Sequence, residues 1–318
     1  MTSISATIST TRAQALPLAD AVHAYEEYIT WQAQLSPATR RSYHSDLALF
    51  VSWIQTHGDP DATLQNTAAL EILEAFLQAR ARTNALGPGR LKRLAAVLKS
   101  FFRWAHDRGM IPSNPTRQLA TPRLARSLPV HATADESQAL IAASTRPHDS
   151  PASQARDHAA IVTLLTCGLR AGELCRLTWR NVDQDRRYLH VTGKGGHQRE
   201  VPLPPIALGA LKALHSHRVN GTPHVFTGRG TRPLSIRSLQ RHVLATASRA
   251  GLDHKHITPH KLRHTYATLL SQKNVSIRTI QVLLGHASIA TTEIYTHVAP
   301  TQLQEATKAL HFLRAVSS

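Results

Sequence analysis

Residues 111–130 cannot be built into a long helix or a sheet. Ile111-Pro112-Ser113-Asn114-Pro115 carries two prolines, which remove backbone donors and push the residues before them out of the helical region. Pro122 and Pro129 punctuate the next stretch, which is otherwise polar and basic. Such a composition suits an exposed linker. Split there, the 318-residue chain yields two pieces, each within the roughly 50–250 residues of a domain. The expected organisation is a flexible tail at 1–15, a helical domain at 16–110, the linker at 111–130 and a second domain at 131–318.

The first piece reads as helical throughout. Leu18 to Leu35 is a helix, and Ser36-Pro37 is an N-cap followed by proline at the first helical position. In the next helix Tyr43, Leu47, Phe50, Val51 and Ile54 recur at helical spacing until Gly58. Asn66 to Arg82 reads as a third helix and Gly89 to Asp107 as a fourth. The fourth turns Leu91, Leu94, Val97, Leu98, Phe101 and Phe102 inward, and its polar face carries Arg90, Lys92, Arg93, Lys99 and Arg103.

The second piece opens with Thr133 and Glu136, the two ends of a capping box. A helix comes next, then an apolar one ending near Cys167. Arg187–Thr192 and Glu200–Leu203 read as short strands flanking the hairpin turn Gly193-Lys194-Gly195-Gly196. Helices then run over Ile206–His217, Ser235–Ala250, Pro259–Gln272, Ser276–Leu284 and Ala290–His297, with a last one after Pro300. The fold class is mainly α, with a small antiparallel β-sheet in the C-terminal domain.

Charge points to the partner. The chain has 37 Lys and Arg against 20 Asp and Glu, a formal charge of +17. Eleven cations between Arg80 and Arg126 face the single acid Asp107. Fourteen between Lys194 and Arg278 face only Glu200 and Asp253. Two bands with so little acid between them suit a surface that tracks phosphates, although a solvated helix face has the same composition. The implied partner is a polyanion, nucleic acid first, and Arg80, Arg82, Arg90, Lys92, Arg93, Lys99, Arg103, Arg237 and Arg241 are the candidate nucleic-acid-binding residues. No apolar run approaches the ~20 residues needed to span a bilayer, so no membrane partner is expected. Met1 to Ala15 lacks the basic and apolar regions of a signal peptide. Cys167 and Cys175 are the only cysteines, too few for a disulfide framework, which makes a reducing cytosol the default.

Several chemistries lack their motifs. There is no GxxxxGK[ST] loop, no GxGxxG after a strand, no GxSxG and no HExxH. The chain offers instead a set of phosphate-friendly residues. Arg170 lies in Gly168-Leu169-Arg170-Ala171-Gly172-Glu173-Leu174, where glycines permit a sharp turn and Glu173 can hold the arginine fork. Lys194 sits at the hairpin tip. His260 comes after the N-cap Thr258 in the first turn of a helix, and Arg263 shares its face. His286 comes directly after Gly285, and Tyr295 nine residues later. Each alone has a plain structural reading. His260 and His264 also stand at the i, i+4 spacing of a zinc pair, without the further Cys, Asp or Glu ligands such a site needs.

Taken in order, Arg170, Lys194, His260-x-x-Arg263, His286 and Tyr295 resemble the tyrosine recombinase/integrase family, in its compact XerC/XerD-like branch. The matching text is Gly168–Leu174, Thr192–Gly196, Thr258–Thr265 and Leu283–Val298. The resemblance is strong from about 130 to 300 and weaker across 16–110, where the family has a helical, SAM-like core-binding domain. It implies a two-domain DNA clamp and a site-specific recombinase. Tyr295 would be the nucleophile, Arg170 and Arg263 the phosphate clamp, His260 the acid/base, Lys194 the acid for the leaving oxygen and His286 a phosphate donor. Glu173 would support Arg170. No cofactor and no metal are implied. The implied partners are a double-stranded DNA recombination site and further protomers, a homo-tetramer on two sites or a paired recombinase. The cytoplasm, at the nucleoid, is the implied location. Gln302–Ser318 departs from the family pattern, and with helices beginning near residue 18 no arm-binding domain is expected. The alternative is a DNA-binding accessory protein of the same fold that does not cleave, and a metal-dependent nuclease is a third reading.

Overall fold

The computed structural model describes residues 15–31, 35–83, 87–120, 130–146, 149–193, 196, 198–218, 220–285, 300–311 and 313. The chain divides into two compact units, Met1–Ser127 and Leu128–Ser318.

Among the described residues the first unit is helical: α1 (Leu18–Trp31), α2 (Pro37–His57), α3 (Leu64–Thr67), α4 (Leu70–Arg82) and α5 (Pro88–Asp107). Helix α2 starts as its sequence dictates, with the Ser36 hydroxyl accepting from the Thr39 amide at 3.2 Å. All six apolar residues expected to face inward on α5 are buried. They join an aromatic core in which the Phe50 and Phe76 ring centres lie 5.1 Å apart and those of Phe101 and Phe102 5.0 Å apart.

Two expectations need correction. The helix read over Asn66–Arg82 is two helices. Leu64 N and Leu18 N donate to Leu16 O and Ala62 O, tying the start of α3 to the start of α1. Thr67 folds its hydroxyl back onto the carbonyls of Thr63 and Leu64, and Ala69 is extended at φ −123°. Tertiary pinning overrides the helix preference of the Ala68-Ala69 pair. The stretch expected to be exposed linker from Ile111 is packed as far as Leu119. Ile111, Thr116 and Leu119 are buried, and Asn114 caps a 3₁₀ turn at Pro115–Arg117. The linker residues 121–129 lie outside the described residues, as does the tail at 1–14.

Arg93 also departs from expectation. It is not a free cation on the α5 surface. Its guanidinium grips Asp46 of α2 through two bonds of 2.8 and 3.0 Å, and Asp46 is fully buried. Arg93 is therefore the counter-charge that lets α2 bury a carboxylate.

The second unit is built around α7 (Pro151–Cys167), whose residues from Ala159 to Cys167 are all buried. α7 packs against α9 (Pro205–Ser216) and α11 (Pro259–Gln272). Around them lie α6 (Ala134–Ala142), α8 (Ala171–Arg176), α10 (Ile236–Arg249), α12 (Ile277–Leu284) and α13 (Pro300–Lys308). The capping box is present, with Thr133 Oγ1 accepting from the Glu136 amide at 3.2 Å and Glu136 Oε2 from the Thr133 amide at 2.7 Å. The sheet is antiparallel in the order β1-β2-β3, with β1 at Val182–Asp183, β2 at Tyr188–Thr192 and β3 at Gln198–Pro202. β2 and β3 pair from Tyr188 opposite Pro202 to Thr192 opposite Gln198. The two-residue β1 carries no alternation for a sequence pattern to reveal. The helix expected over Ala290–His297 lies outside the described residues.

The Asp46–Arg93 pair yields a stability prediction. Arg93→Ala should lower the stability of the first unit by about 2–3 kcal/mol, toward the low end for breaking a buried pair because Arg93 is half exposed. Asp46→Asn combined with Arg93→Ala should recover part of that loss in a denaturant titration. An Arg93→Ala chain as stable as wild type would show that the pair is idle.

Candidate active site

Three arginines from three separate segments converge on one carboxylate. Glu173 of α8 has a nearly sealed side chain. Arg170 reaches it from the residue before α8, with Nη1 donating to Oε1 at 2.8 Å, while the Arg170 amide donates to Oε2 at 2.8 Å. Arg199 reaches it from β3, with Nη1 and Nη2 donating to Oε1 and Oε2 at 2.9 Å each. Arg263 of α11 stands 4.0 Å from Oε2. The side chains of Arg199 and Arg263 are 7% exposed, whereas that of Arg170 is 41% exposed.

The second set of acceptors is backbone. The last carbonyls of a helix have no partner within it and form the negative end of its dipole. At the C-terminus of α12, Leu283 O accepts from Arg199 Nε at 3.3 Å, Leu284 O from Arg263 Nη2, and Gly285 O from Arg170 Nη2 at 3.1 Å. Arg263 Nη1 also donates at 2.6 Å to Gly168 O, at the end of α7. One helix end thus receives all three guanidinium groups.

Two glycines make these approaches possible. Gly168 and Gly285 both end their helices in the left-handed region, at φ 60° and 62°. A Cβ on Gly168 would lie 2.4 Å from the buried Tyr266 ring, and one on Gly285 would lie 2.7 Å from Arg199 Cδ. A side chain at Gly168 would displace Tyr266, and one at Gly285 would displace Arg199.

The electrostatics arise from these contacts. Burial pushes the Glu173 carboxyl up, but the hydrogen bonds and charge of Arg199, and then those of Arg170, outweigh it and hold the group at about 2. Burial lowers Arg263 to about 10, helped by the charges of Arg170 and Arg199 and opposed by Glu173. Glu173 and Arg263 are therefore ionised at neutral pH, and three guanidinium groups face a single carboxylate.

Among the other expected site residues, His260 is exposed in the first turn of α11, behind the N-cap Thr258, whose hydroxyl accepts from the Lys261 amide at 3.2 Å. Arg263 lies one turn further along the same helix. Lys194, His286 and Tyr295 lie outside the described residues. Lys194 belongs to the connection between β2 and β3, and His286 comes directly after Gly285. His264 does not share an exposed site with His260. Burial, then the charges of His131 and His260, lower its pKa, and its ring meets His131 edge-on at 6.1 Å. Among the described residues no group of three His, Cys, Asp or Glu is placed to hold a metal ion.

Sequence reasoning missed Arg199. It stands on a strand, 26 positions from its carboxylate partner, and no local spacing marks it. Of the candidate DNA-binding residues, Arg82, Arg90, Lys92, Arg93, Arg103, Arg237 and Arg241 are exposed, Arg93 while bound to Asp46. Arg80 lies over the Phe76 ring at 5.6 Å with a shielded Nε. Lys99 and Arg103 line a polar groove of about 600 Å³ that Arg117 joins from the 3₁₀ turn.

A buried arginine cluster in a mainly helical unit, preceded by a basic helical unit, defines a class of protein that handles phosphate groups. Comparisons with known proteins narrow that class. Residues 131–302 match the model of the phage integrase family, and residues 22–109 match that of the phage integrase N-terminal SAM-like domain. Tyrosine recombinase XerC of Xanthomonas campestris pv. campestris (strain B100) is 35% identical over 292 residues, covering 92% of this chain and 88% of the relative. The XerC of Pelobacter propionicus is 34% identical, covering 93% and 96%. The chain belongs to the phage integrase family, the site-specific tyrosine recombinases of DNA. Solved structures share the fold. A lambda integrase dimer bound to a core site aligns with a TM-score of 0.68 at 23% identity, covering 86% of this chain and 96% of that one. The Tn1549 transposon integrase aligns with a TM-score of 0.69 at 19% identity, covering 92% and 99%. No helix among the described residues is long and apolar enough to cross a membrane.

The depressed Glu173 carboxyl fixes a pH dependence. A folded-state value below the ordinary 4.5 contributes stability that is present above that value and is lost as pH falls toward 2. Glu173→Gln should therefore be less stable than wild type at neutral pH, by on the order of 3 kcal/mol. Thermal melts should show this gap closing on acidification below about pH 4.5. A gap that stays constant down to acid pH would mean the carboxylate charge is not what holds the arginines.

Proposed function

We propose that the chain cleaves and rejoins DNA strands through a 3′-phosphotyrosyl intermediate, with Arg170, Lys194, His260, Arg263, His286 and Tyr295 as the catalytic residues and Glu173 in support. The observation that carries this reading is the meeting of Arg170 and Arg263 at Glu173, from segments 93 residues apart in sequence. Two guanidinium groups fixed in this way can neutralise the non-bridging oxygens of a phosphate as charge grows on them.

The Tyr295 oxygen attacks the scissile phosphorus, and its proton passes to His260. The bond from phosphorus to the 5′-oxygen breaks, and Lys194 protonates that oxygen to give a free 5′-hydroxyl. His286 donates a hydrogen bond to the phosphate. The phosphotyrosine keeps the energy of the phosphodiester, so a 5′-hydroxyl from another strand can reverse the chemistry and rejoin. A tyrosine with a reference pKa of ~10 is about a thousandth ionised at pH 7, a deficit of ~4 kcal/mol. The paired arginine charges favour the phenolate and so reduce that deficit.

Arg80, Arg82, Arg90, Lys92, Lys99 and Arg103 in the first unit, and Arg237 and Arg241 in the second, would track the phosphates. Arg93 would contribute less than these, because two of its donors are already bound to Asp46. The partner is a double-stranded recombination site, and exchange between two sites takes four protomers or a paired recombinase. Solved relatives in dimeric and tetrameric DNA complexes support this. The protein would act in the cytoplasm, on the nucleoid.

Covalent capture tests the reading without a known site. The protein is incubated with nicked, fragmented genomic DNA and the reaction stopped with SDS. Only protein-linked DNA is recovered and sequenced. Wild type should capture DNA with or without EDTA, and Tyr295→Phe should capture none while binding bulk DNA as before. Equal capture by both, or free ends that need a divalent metal, would overturn the tyrosine chemistry.

A further inference from the structure

We infer that Arg199 is a positioning residue for strand cleavage, holding Glu173 and the end of α12 so that the Arg170 guanidinium is fixed for the scissile phosphate. The inference deepens the recombinase reading and rests on it.

Arg199 cannot act on DNA directly. Its side chain is 7% exposed, and its donors are turned inward. Nη1 and Nη2 take both oxygens of Glu173, and Nε reaches Leu283 O. Arg170, by contrast, has an open side chain and single bonds to Glu173 Oε1 and Gly285 O. Both acceptors of Arg170 are thus groups that Arg199 restrains: it grips the carboxylate itself, and it bonds the α12 carbonyl two residues before Gly285. Gly285 is also the residue whose Cβ would strike Arg199 Cδ. A planar fork in bidentate contact sets the angle of the carboxylate as well as its place, which an ammonium group cannot do.

Arg199 also ties three parts of the site together. It belongs to β3, so it anchors one strand of the hairpin to α8 and to α12. The charged groups facing Glu173 are Arg170 from its own turn, Arg199 from β3 and Arg263 from α11. Tyr266 of α11 lies beside this set with its hydroxyl buried and kept protonated by burial. Of these, Arg199 opposes most strongly the upward push of burial on Glu173. Without it, Glu173 would take up a proton at higher pH and release its ionic hold on Arg170.

Arg199→Lys and Arg199→Met separate positioning from mere structure. Three readouts are needed on the full chain: thermal stability, the rate of covalent capture on nicked genomic fragments, and the carboxyl ¹³C titration of labelled glutamate. Arg199→Lys should melt near wild type and bind bulk DNA equally well, yet capture about 10- to 100-fold more slowly, the scale of a misplaced group near a reacting centre. Arg199→Met should capture more slowly still. In Arg199→Met a carboxyl resonance that disappears in the added Glu173→Gln variant should titrate well above its wild-type position, toward the ordinary 4.5. If Arg199→Met does not fold, the lysine variant decides on rate alone. Capture at the wild-type rate by Arg199→Lys would overturn the inference. So would a loss that only tracks the folded fraction, with Glu173 titrating as in wild type. Failure of wild type to capture, or capture by Tyr295→Phe, would instead sink the recombinase reading, and the role of Arg199 with it.

Discussion

Three guanidinium groups cannot crowd together unless something negative stands between them, and in this protein Glu173 does so. At an effective dielectric near 20, two like charges on the order of 5 Å apart repel by about 3 kcal/mol, and three make three such pairs. The carboxylate answers one charge and the three carbonyls ending α12 answer part of the rest. The remaining positive charge is fixed in place before any ligand arrives. That is the condition for strong transition-state stabilisation, because a preorganised field needs no rearrangement when charge develops. The surrounding fold serves this point. α7 and α12 end in glycines so that their carbonyls can face the arginines, and the capping geometry of α8 places Arg170 and Glu173 on one turn.

How much of this was legible in the sequence depended on distance along the chain. Arg170 and Glu173 are three residues apart, and their pairing could be read from the turn that holds them. His260 and Arg263 could be placed on one helix by the same kind of local rule. Arg199 could not, because its meaning lies in a bond to a residue 26 positions away, and a lone arginine in an alternating strand resembles a solvated side chain. The split of Asn66–Arg82 escaped for a related reason. The break at Ala68-Ala69 comes from hydrogen bonds to Leu16 and Ala62 that pin α3, and local propensity argues for an unbroken helix. The linker was misjudged from composition: prolines and polar residues predicted exposure, while Ile111 and Leu119 supplied enough apolar surface to dock the segment back onto the helical core.

The basic bands show the limit of counting charge. Arg90, Lys92, Arg93 and Arg103 belong to one polar face of α5 and cannot be ranked by sequence. Their environments differ nonetheless. Arg93 is bound to a buried aspartate across the helix interface, and Arg103 lines an open groove with Arg117. A cation already paired in the folded protein contributes less to a phosphate than a free one, since its partner must be displaced or left charged and buried. Net charge therefore identified the kind of partner, while the contacts each cation already makes within the fold differ along a single helix face.

The placement of the arginine cluster at the end of α12 links binding to the remaining chemistry through the chain itself. Gly285 carries the carbonyl that holds Arg170, and the next residue is His286, with Tyr295 nine positions beyond. Whatever fixes the end of α12 also fixes where the segment bearing the proposed nucleophile begins. Arg199 fixes that end from β3, which starts four residues after Lys194 in the sequence. The proposed acid for the leaving oxygen and the proposed nucleophile thus depart from the same anchored cluster along two short stretches of chain. A single buried ion network can in this way set the starting point of groups drawn from β3, α8, α11 and the end of α12.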